Sequence, residues 1–239
     1  MSKFSLVFIF TVFLVLVSCK EEKSKKETPT KAKEIKLKAK SSNEKKLLAP
    51  EDRQYIFDSI STENAIAFFT EYGKTHPQTR LKISTRLGDI YVHLFKDTPI
   101  HRASFLYLVD KGYYDTTCFY RIVPDFIVQG GSSDNLVTPT YKTQLNDYRI
   151  PSEFRKNRKH KRGCMAAARD WENNPTKEST PFEFYFIQAS KDQSHLNYEH
   201  TVFGEITKGL DVIDKITKVN IDRYEWPDKD IPMKITILD

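Results

Sequence analysis

Residues 119–131 read FYRIVPDFIVQGG. Phe119, Ile122, Phe126, Ile127 and Val128 are apolar and strand-prone, and Pro124-Asp125 marks a turn between two short strands. Arg121 and Gln129 interrupt the apolar runs. Two readings fit them: an arginine at a strand edge with a solvent-facing glutamine, or two polar groups pointing into a lined groove.

The whole string favours the groove. It resembles the signature of the cyclophilins, peptidyl-prolyl cis-trans isomerases, which runs Phe-(His or Tyr)-Arg-(Ile or Val)-(Ile or Val)-x-x-Phe-x-x-Gln-Gly-Gly. Phe119, Tyr120, Arg121, Ile122, Val123, Phe126, Gln129, Gly130 and Gly131 occupy those positions. From Thr79 onward the likeness is nearly continuous. Leu81, Ile83 and Thr85 alternate, Gly88-Asp89 reads as a turn, and Ile90 to Phe95 returns as the second arm of a hairpin. Thr98-Pro99 supplies an N-cap and a first-turn proline for a helix over Phe105 to Val109, stopped by Gly112. Gly163 to Ala168 resembles the family strand that floors the substrate groove, and Phe182 to Ile187 the strand beside it. Leu196 and His200 to Gly204 match two further segments, Leu210 to Thr217 reads as a second helix, and Met233 to Leu238 as the last strand.

The fold this implies is all-β with capping helices: a closed eight-stranded antiparallel barrel, residues 79–239, with two helices over its ends. Side chains fill such a barrel, so its site must lie on the outer face. By the same resemblance Arg121 and Gln129 are the catalytic pair. Phe126, Ile127, Tyr185 and Leu196 wall a proline pocket; the bland alternative for each is ordinary core. Ala166, Ala167, Glu183 and His200 complete the peptide-binding set. No cofactor or metal is implied, and no cysteine or histidine cluster has ligand spacing.

Several positions depart from the best-known pattern. Tyr120 stands in the His-or-Tyr position, as in many bacterial members. Glu183 replaces a glutamine and brings a negative charge toward Arg121 and Gln129. Ala167 replaces an asparagine, which leaves only a backbone grip on substrate. His195 stands where human-type members carry a drug-contacting tryptophan, and the loop Arg169 to Thr180 is unlike the usual Gly-Asn-rich one.

The chain has 239 residues, a formal net charge of +6 and three cysteines. The lysine excess falls before residue 50, which argues against a nucleic-acid-binding domain. Lys3 precedes an apolar run from Phe4 to Val17 that is short for a membrane span and ends in Leu16-Val17-Ser18-Cys19. This resembles a bacterial lipobox: residues 1–18 are the expected signal peptide and Cys19 the lipidated first residue. Lys20 at the next position, not aspartate, favours the outer membrane, and Glu21-Glu22 resembles a surface-sorting tag. Residues 19–46 are too polar to fold and read as a disordered tether. Residues 47–78 read as a helical extension, with Ser61 or Thr62 capping a helix over Ala65 to Tyr72 that ends at Gly73 and packs on the barrel or a partner. Cys118 and Cys164 could pair in an oxidising compartment, and two buried thiols are the favoured reading.

Three functions compete. The first is a lipid-anchored isomerase acting on X-Pro segments of envelope proteins. The second is a proline-segment binding module in which Glu183 and Ala167 have weakened catalysis. The third is a basic nucleic-acid binder. Retention of Arg121, Phe126 and Gln129 favours the first.

Overall fold

A computed structural model describes residues 58–238. The expected signal peptide, Cys19, the expected tether and the start of the extension lie outside the described residues. The sheet strands are β1 (Arg80–Thr85), β2 (Gly88–Leu94), β3 (Cys118–Val123), β4 (Ile127–Ser132), β5 (Cys164–Ala167), β6 (Phe184–Ile187), β7 (Val202–Lys208) and β8 (Lys234–Leu238). They form one eight-stranded sheet in the order β3-β4-β6-β5-β7-β2-β1-β8. Every pairing is antiparallel. The sheet curls until its two edges meet. Phe119 N–H donates to Ile231 O at 3.0 Å, Met233 N–H to Thr117 O at 3.3 Å, and Cys118 bridges Pro232. Closure therefore runs through the residues just before β8, not through a full ladder.

Period-two alternation sorts the strand residues into two apolar clusters. Met165, Phe184 and Phe186 belong to the interior, with Leu81, Ile83, Val92 and Val128. Their neighbours Cys164, Ala166, Tyr185 and Ile187 belong to a second cluster with Ile127, Leu196 and Val202. That second cluster lies on the outer face. Both Cys118 and Cys164 are free and buried, and burial pushes each thiol up to about 12.

One irregularity in β3 decides what faces outward. Phe119 pairs with Gly130 and Arg121 with Gln129, so two steps along β3 match one step along β4. Tyr120 is the extra residue of a β-bulge. Phe119 and Ile122 both reach the interior, and the pair between them is left half-exposed. Gly130-Gly131 answers a packing demand. A Cβ on Gly130 would stand 2.7 Å from the Met233 methyl, and one on Gly131, at φ +98°, 2.1 Å from the Phe182 carbonyl oxygen.

Four helices are described, where the sequence suggests two plus the extension. α1 (Ala65–Thr75) is that extension, and it packs on α2 (Pro99–Asp110). Phe69 is buried against Tyr107 and Tyr148, at ring distances of 5.8 and 5.4 Å. Asn64, not Ser61 or Thr62, is the cap residue, its Oδ1 accepting from Ser61 N–H, and the helix runs past Gly73 to Thr75. In α2 the Thr98 side chain makes no cap. The buried Glu153 carboxylate takes the amides of Ile100 and His101 at 3.2 and 2.9 Å instead. The tip of the first hairpin is Arg86-Leu87, and Gly88 is already the first residue of β2. α3 (Val137–Leu145) is the helix the sequence does not announce; Asn135 Oδ1 accepts the amides of Val137 and Thr138 at its start. α4 (Leu210–Ile216) buries Val212, Ile213 and Ile216 against the sheet.

Candidate active site

On the outer face a pocket of about 270 Å³ opens above the second apolar cluster. Arg121, Phe126, Ile127 and Gln129 come to it from the β3–β4 hairpin, Tyr185 from β6, Leu196 from a 3-10 turn, and His200 from the approach to β7. These seven sequence-expected residues share one wall-and-rim arrangement. The remaining three do not line it. Ala166 is fully buried in the layer beneath. The Ala167 side chain belongs to the barrel interior. Its amide donates to Thr201 O and its carbonyl already accepts His200 Nδ1–H, both at 3.0 Å, so a peptide could use only that carbonyl's second lone pair. Glu183 borders a neighbouring depression of about 600 Å³, with Gln129 between the two.

Arg121 stands on the pocket rim with its Nε–H donated to Glu225 Oε2 at 2.6 Å. Glu225 is brought there by a tight loop. Asp222 Oδ1 accepts the amides of Tyr224 and Trp226, and Ile122 N–H donates to the Glu225 carbonyl at 2.8 Å. With Nε fixed, the terminal nitrogens of the guanidinium remain as donors at the pocket.

Gln129 is held from the other side. Its amide nitrogen bonds the Tyr120 hydroxyl, which donates to Glu183 Oε2 at 2.7 Å. Burial, and then the adjacent Glu183 charge, push the Tyr120 phenol far above its ordinary range, so it stays a donor. Glu183 Oε1 meets Lys142 Nζ of α3 at 2.9 Å. The negative charge that the sequence sets near Gln129 is thus neutralised by a helix that the sequence hides.

Behind the pocket, the tautomer of His160 follows from its contacts. Asn197 Oδ1 accepts from the His160 backbone N–H, which fixes that atom as the amide oxygen, and it also meets Nδ1 at 3.1 Å. Nδ1 therefore carries the proton, and Nε2 accepts from the Tyr185 hydroxyl at 3.0 Å. Burial pushes His160 and His200 down to about 4, so both rings are neutral at pH 7. Neutral rings keep the wall apolar.

Ala168, Arg169 and Trp171 also line the pocket; the sequence put Ala168 in the groove-floor strand but gave none of the three a site role. Only Trp171, a large aromatic in a polar loop, carried a local signal. Glu225, Lys142 and His160 carried none.

This arrangement suits a reaction that makes and breaks no covalent bond. Twisting an X–Pro amide removes its resonance and leaves a lone pair on the prolyl nitrogen. The apolar slot has room for the ring, the Arg121 cation stands at its rim, and the Gln129 amide oxygen is an acceptor that a flanking backbone N–H could use. Binding that favours the twisted amide over either planar one is sufficient for catalysis.

A closed antiparallel barrel with such a slot on its outer face defines a prolyl-isomerase architecture. Comparison with known proteins agrees. The family model described as cyclophilin type peptidyl-prolyl cis-trans isomerase/CLD matches residues 80–237. Peptidyl-prolyl cis-trans isomerase-like 3 of Dictyostelium discoideum is 35% identical over 160 residues, 65% of this chain and 89% of that protein. The peptidyl-prolyl cis-trans isomerase of Acinetobacter baylyi is 32% identical over 152 residues, 61% of this chain and 76% of that one. The chain spans only 29% of a longer relative, isomerase-like 2 of Rhizopus delemar, at 31% identity. A crystal structure of a Cryptosporidium parvum cyclophilin superposes with a TM-score of 0.57 at 25% identity, over 68% of this chain and 98% of that one. A second structure of it was determined in the presence of the dipeptide Ala-Pro. The chain belongs to the cyclophilin-type peptidyl-prolyl cis-trans isomerases.

Proposed function

We propose that this protein is a lipid-anchored prolyl isomerase that accelerates rotation of X–Pro bonds in proteins of the cell envelope. The observation that carries the catalytic part is Arg121 at the rim of the Phe126–Tyr185–Leu196 pocket, with its Nε tied to Glu225. The anchoring part is supported by the sequence alone. The basic start, the apolar run Phe4 to Val17 and the Leu16-Val17-Ser18-Cys19 ending support lipidation at Cys19, and Lys20 supports the outer membrane.

Two experiments test the two halves. A proline-peptide isomerisation assay on the purified protein should show catalysis above the spontaneous rate; a folded protein that binds proline peptides without turning them over would make it a binding module. Cys19→Ala should abolish lipid labelling and detergent partitioning. A variant that stays membrane-bound and lipid-labelled would refute the anchor.

A further inference from the structure

The loop after β5 places an indole where the reaction does not require one. Among the described residues, five large apolar side chains are strongly exposed: Ile66, Leu136, Trp171, Tyr198 and Tyr224. Of these only Trp171, 62% exposed, lines the proline pocket. It is held on a built platform. Its ring meets His200 edge-on at 5.1 Å and 71°, and the Arg169 guanidinium lies 4.2 Å from its centre. The Arg169 side chain is itself only 4% exposed. It donates to the Glu199 carbonyl at 2.7 Å, to Glu199 Oε2 at 2.7 Å and to the Asp170 carbonyl at 2.9 Å. Lys177 Nζ clamps the other Glu199 oxygen at 2.6 Å, which ties the far end of the loop to the same carboxylate.

Trp171 also borders a second open depression of about 720 Å³, shared with Arg149, Asp170 and Glu172. The indole therefore stands as a lip between that depression and the proline pocket. On the opposite side His195 lies near-parallel to Phe126 at 6.1 Å, so no indole faces it there. A fixed, exposed aromatic face beside the slot is a surface for an apolar side chain, and most of all for a flat one.

We propose that Trp171 is a specificity-determining residue of this protein: its ring packs against the side chain next to the bound proline and selects aromatic or bulky apolar residues there. This rests on the isomerase reading of the pocket. Stacking of this kind should give about a three- to tenfold preference, roughly 0.65–1.4 kcal/mol.

The chain contains two tryptophans, so Trp226→Phe leaves Trp171 as the sole indole. The full chain carrying that change is titrated with two peptides differing only in Phe or Ala beside the proline, reading tryptophan emission and isomerisation together. The emission should change and saturate, and do so at lower concentration with the Phe peptide. Trp171→Ala in the otherwise native chain should raise KM for the Phe peptide about three- to tenfold, change KM for the Ala peptide less than twofold, and leave kcat within twofold; Trp171→Phe should restore most of the preference. Equal KM changes for both peptides, or saturating turnover with unchanged emission, would overturn the role of Trp171 while leaving the isomerase reading intact. Binding seen in the emission without turnover would support Trp171 and overturn the isomerase reading. Neither turnover nor binding in the native chain would overturn both.

Discussion

Arg121 and Glu225 lie 104 residues apart in the chain, yet their Nε and Oε2 atoms meet at 2.6 Å on the rim of the pocket walled by Phe126, Tyr185 and Leu196. The pair is about 40% exposed on both sides, so its Coulomb term is small and its effect is orientation. Arg121→Ala should lower kcat/KM by at least about tenfold, since loss of one charged donor costs roughly 1.5–3 kcal/mol. Arg121→Lys should recover little, because an ammonium has no planar fork. Glu225→Ala should lower kcat by about threefold, with Glu225→Gln restoring it, because the amide keeps an acceptor oxygen for Nε. Isomerisation kinetics with parallel thermal unfolding check all four. Native activity in a folded Arg121→Ala protein would defeat the mechanism.

Glu183 and Lys142 give a second prediction. Their ion pair at 2.9 Å balances the charge beside Tyr120 and Gln129. Glu183→Gln should change kcat/KM by less than about threefold, because Lys142 is exposed enough to be solvated alone. Lys142→Ala should do more harm, since it leaves a carboxylate unneutralised next to Gln129. The double variant should fall back toward native activity. A double-mutant cycle on kcat/KM measures this, and strict additivity would show that the two residues do not act as a pair.

The parts of this site that a reader finds in the sequence are those lying in one local stretch. Arg121, Phe126 and Gln129 sit within nine residues, and the hairpin that carries them is itself a local structure. What escapes is non-local or irregular. Strict alternation would put Tyr120 and Arg121 on opposite faces, and only the bulge sets both outside the core. Ala167 resembles a groove residue in its motif, but its place in the alternation turns its side chain inward. α3 has Pro139 in its first turn and little apolar patterning, so nothing local marks it as a helix or Lys142 as a partner. Glu225, Lys142 and His160 reach the site through tertiary packing alone.

His195 supports a pharmacological prediction. In cyclosporin-sensitive cyclophilins a tryptophan at this position donates its indole N–H to the drug. Here the imidazole is smaller and lies near-parallel to Phe126 at 6.1 Å. Cyclosporin should inhibit weakly, and His195→Trp should tighten inhibition by roughly tenfold, the worth of one hydrogen bond at the upper end of the usual range. Inhibition curves on both proteins test this. Tight inhibition of the native protein would show that the contact is dispensable.

His160 and His200, two of the three buried histidines among the described residues, limit the stability of the fold in acid. In the unfolded chain each imidazole takes up a proton near 6.5, whereas in the folded protein burial holds His160 and His200 down to about 4. Between those values the unfolded state binds more protons, so stability must fall as pH falls from 6.5 toward 4. Above 6.5 neither ring contributes to the pH dependence, and below 4 the loss is complete. Each ring accounts for on the order of 3 kcal/mol across that window. Protonating His160 also removes the acceptor for the Tyr185 hydroxyl, so the pocket wall should loosen before the barrel unfolds. The unfolding midpoint should therefore drop by on the order of 10 °C between pH 7 and pH 4.5. Ring-proton NMR should show both histidines titrating near 4 in the folded protein and near 6.5 in denaturant. A folded-state titration near 6.5 for either ring would refute its role as a neutral wall of the pocket.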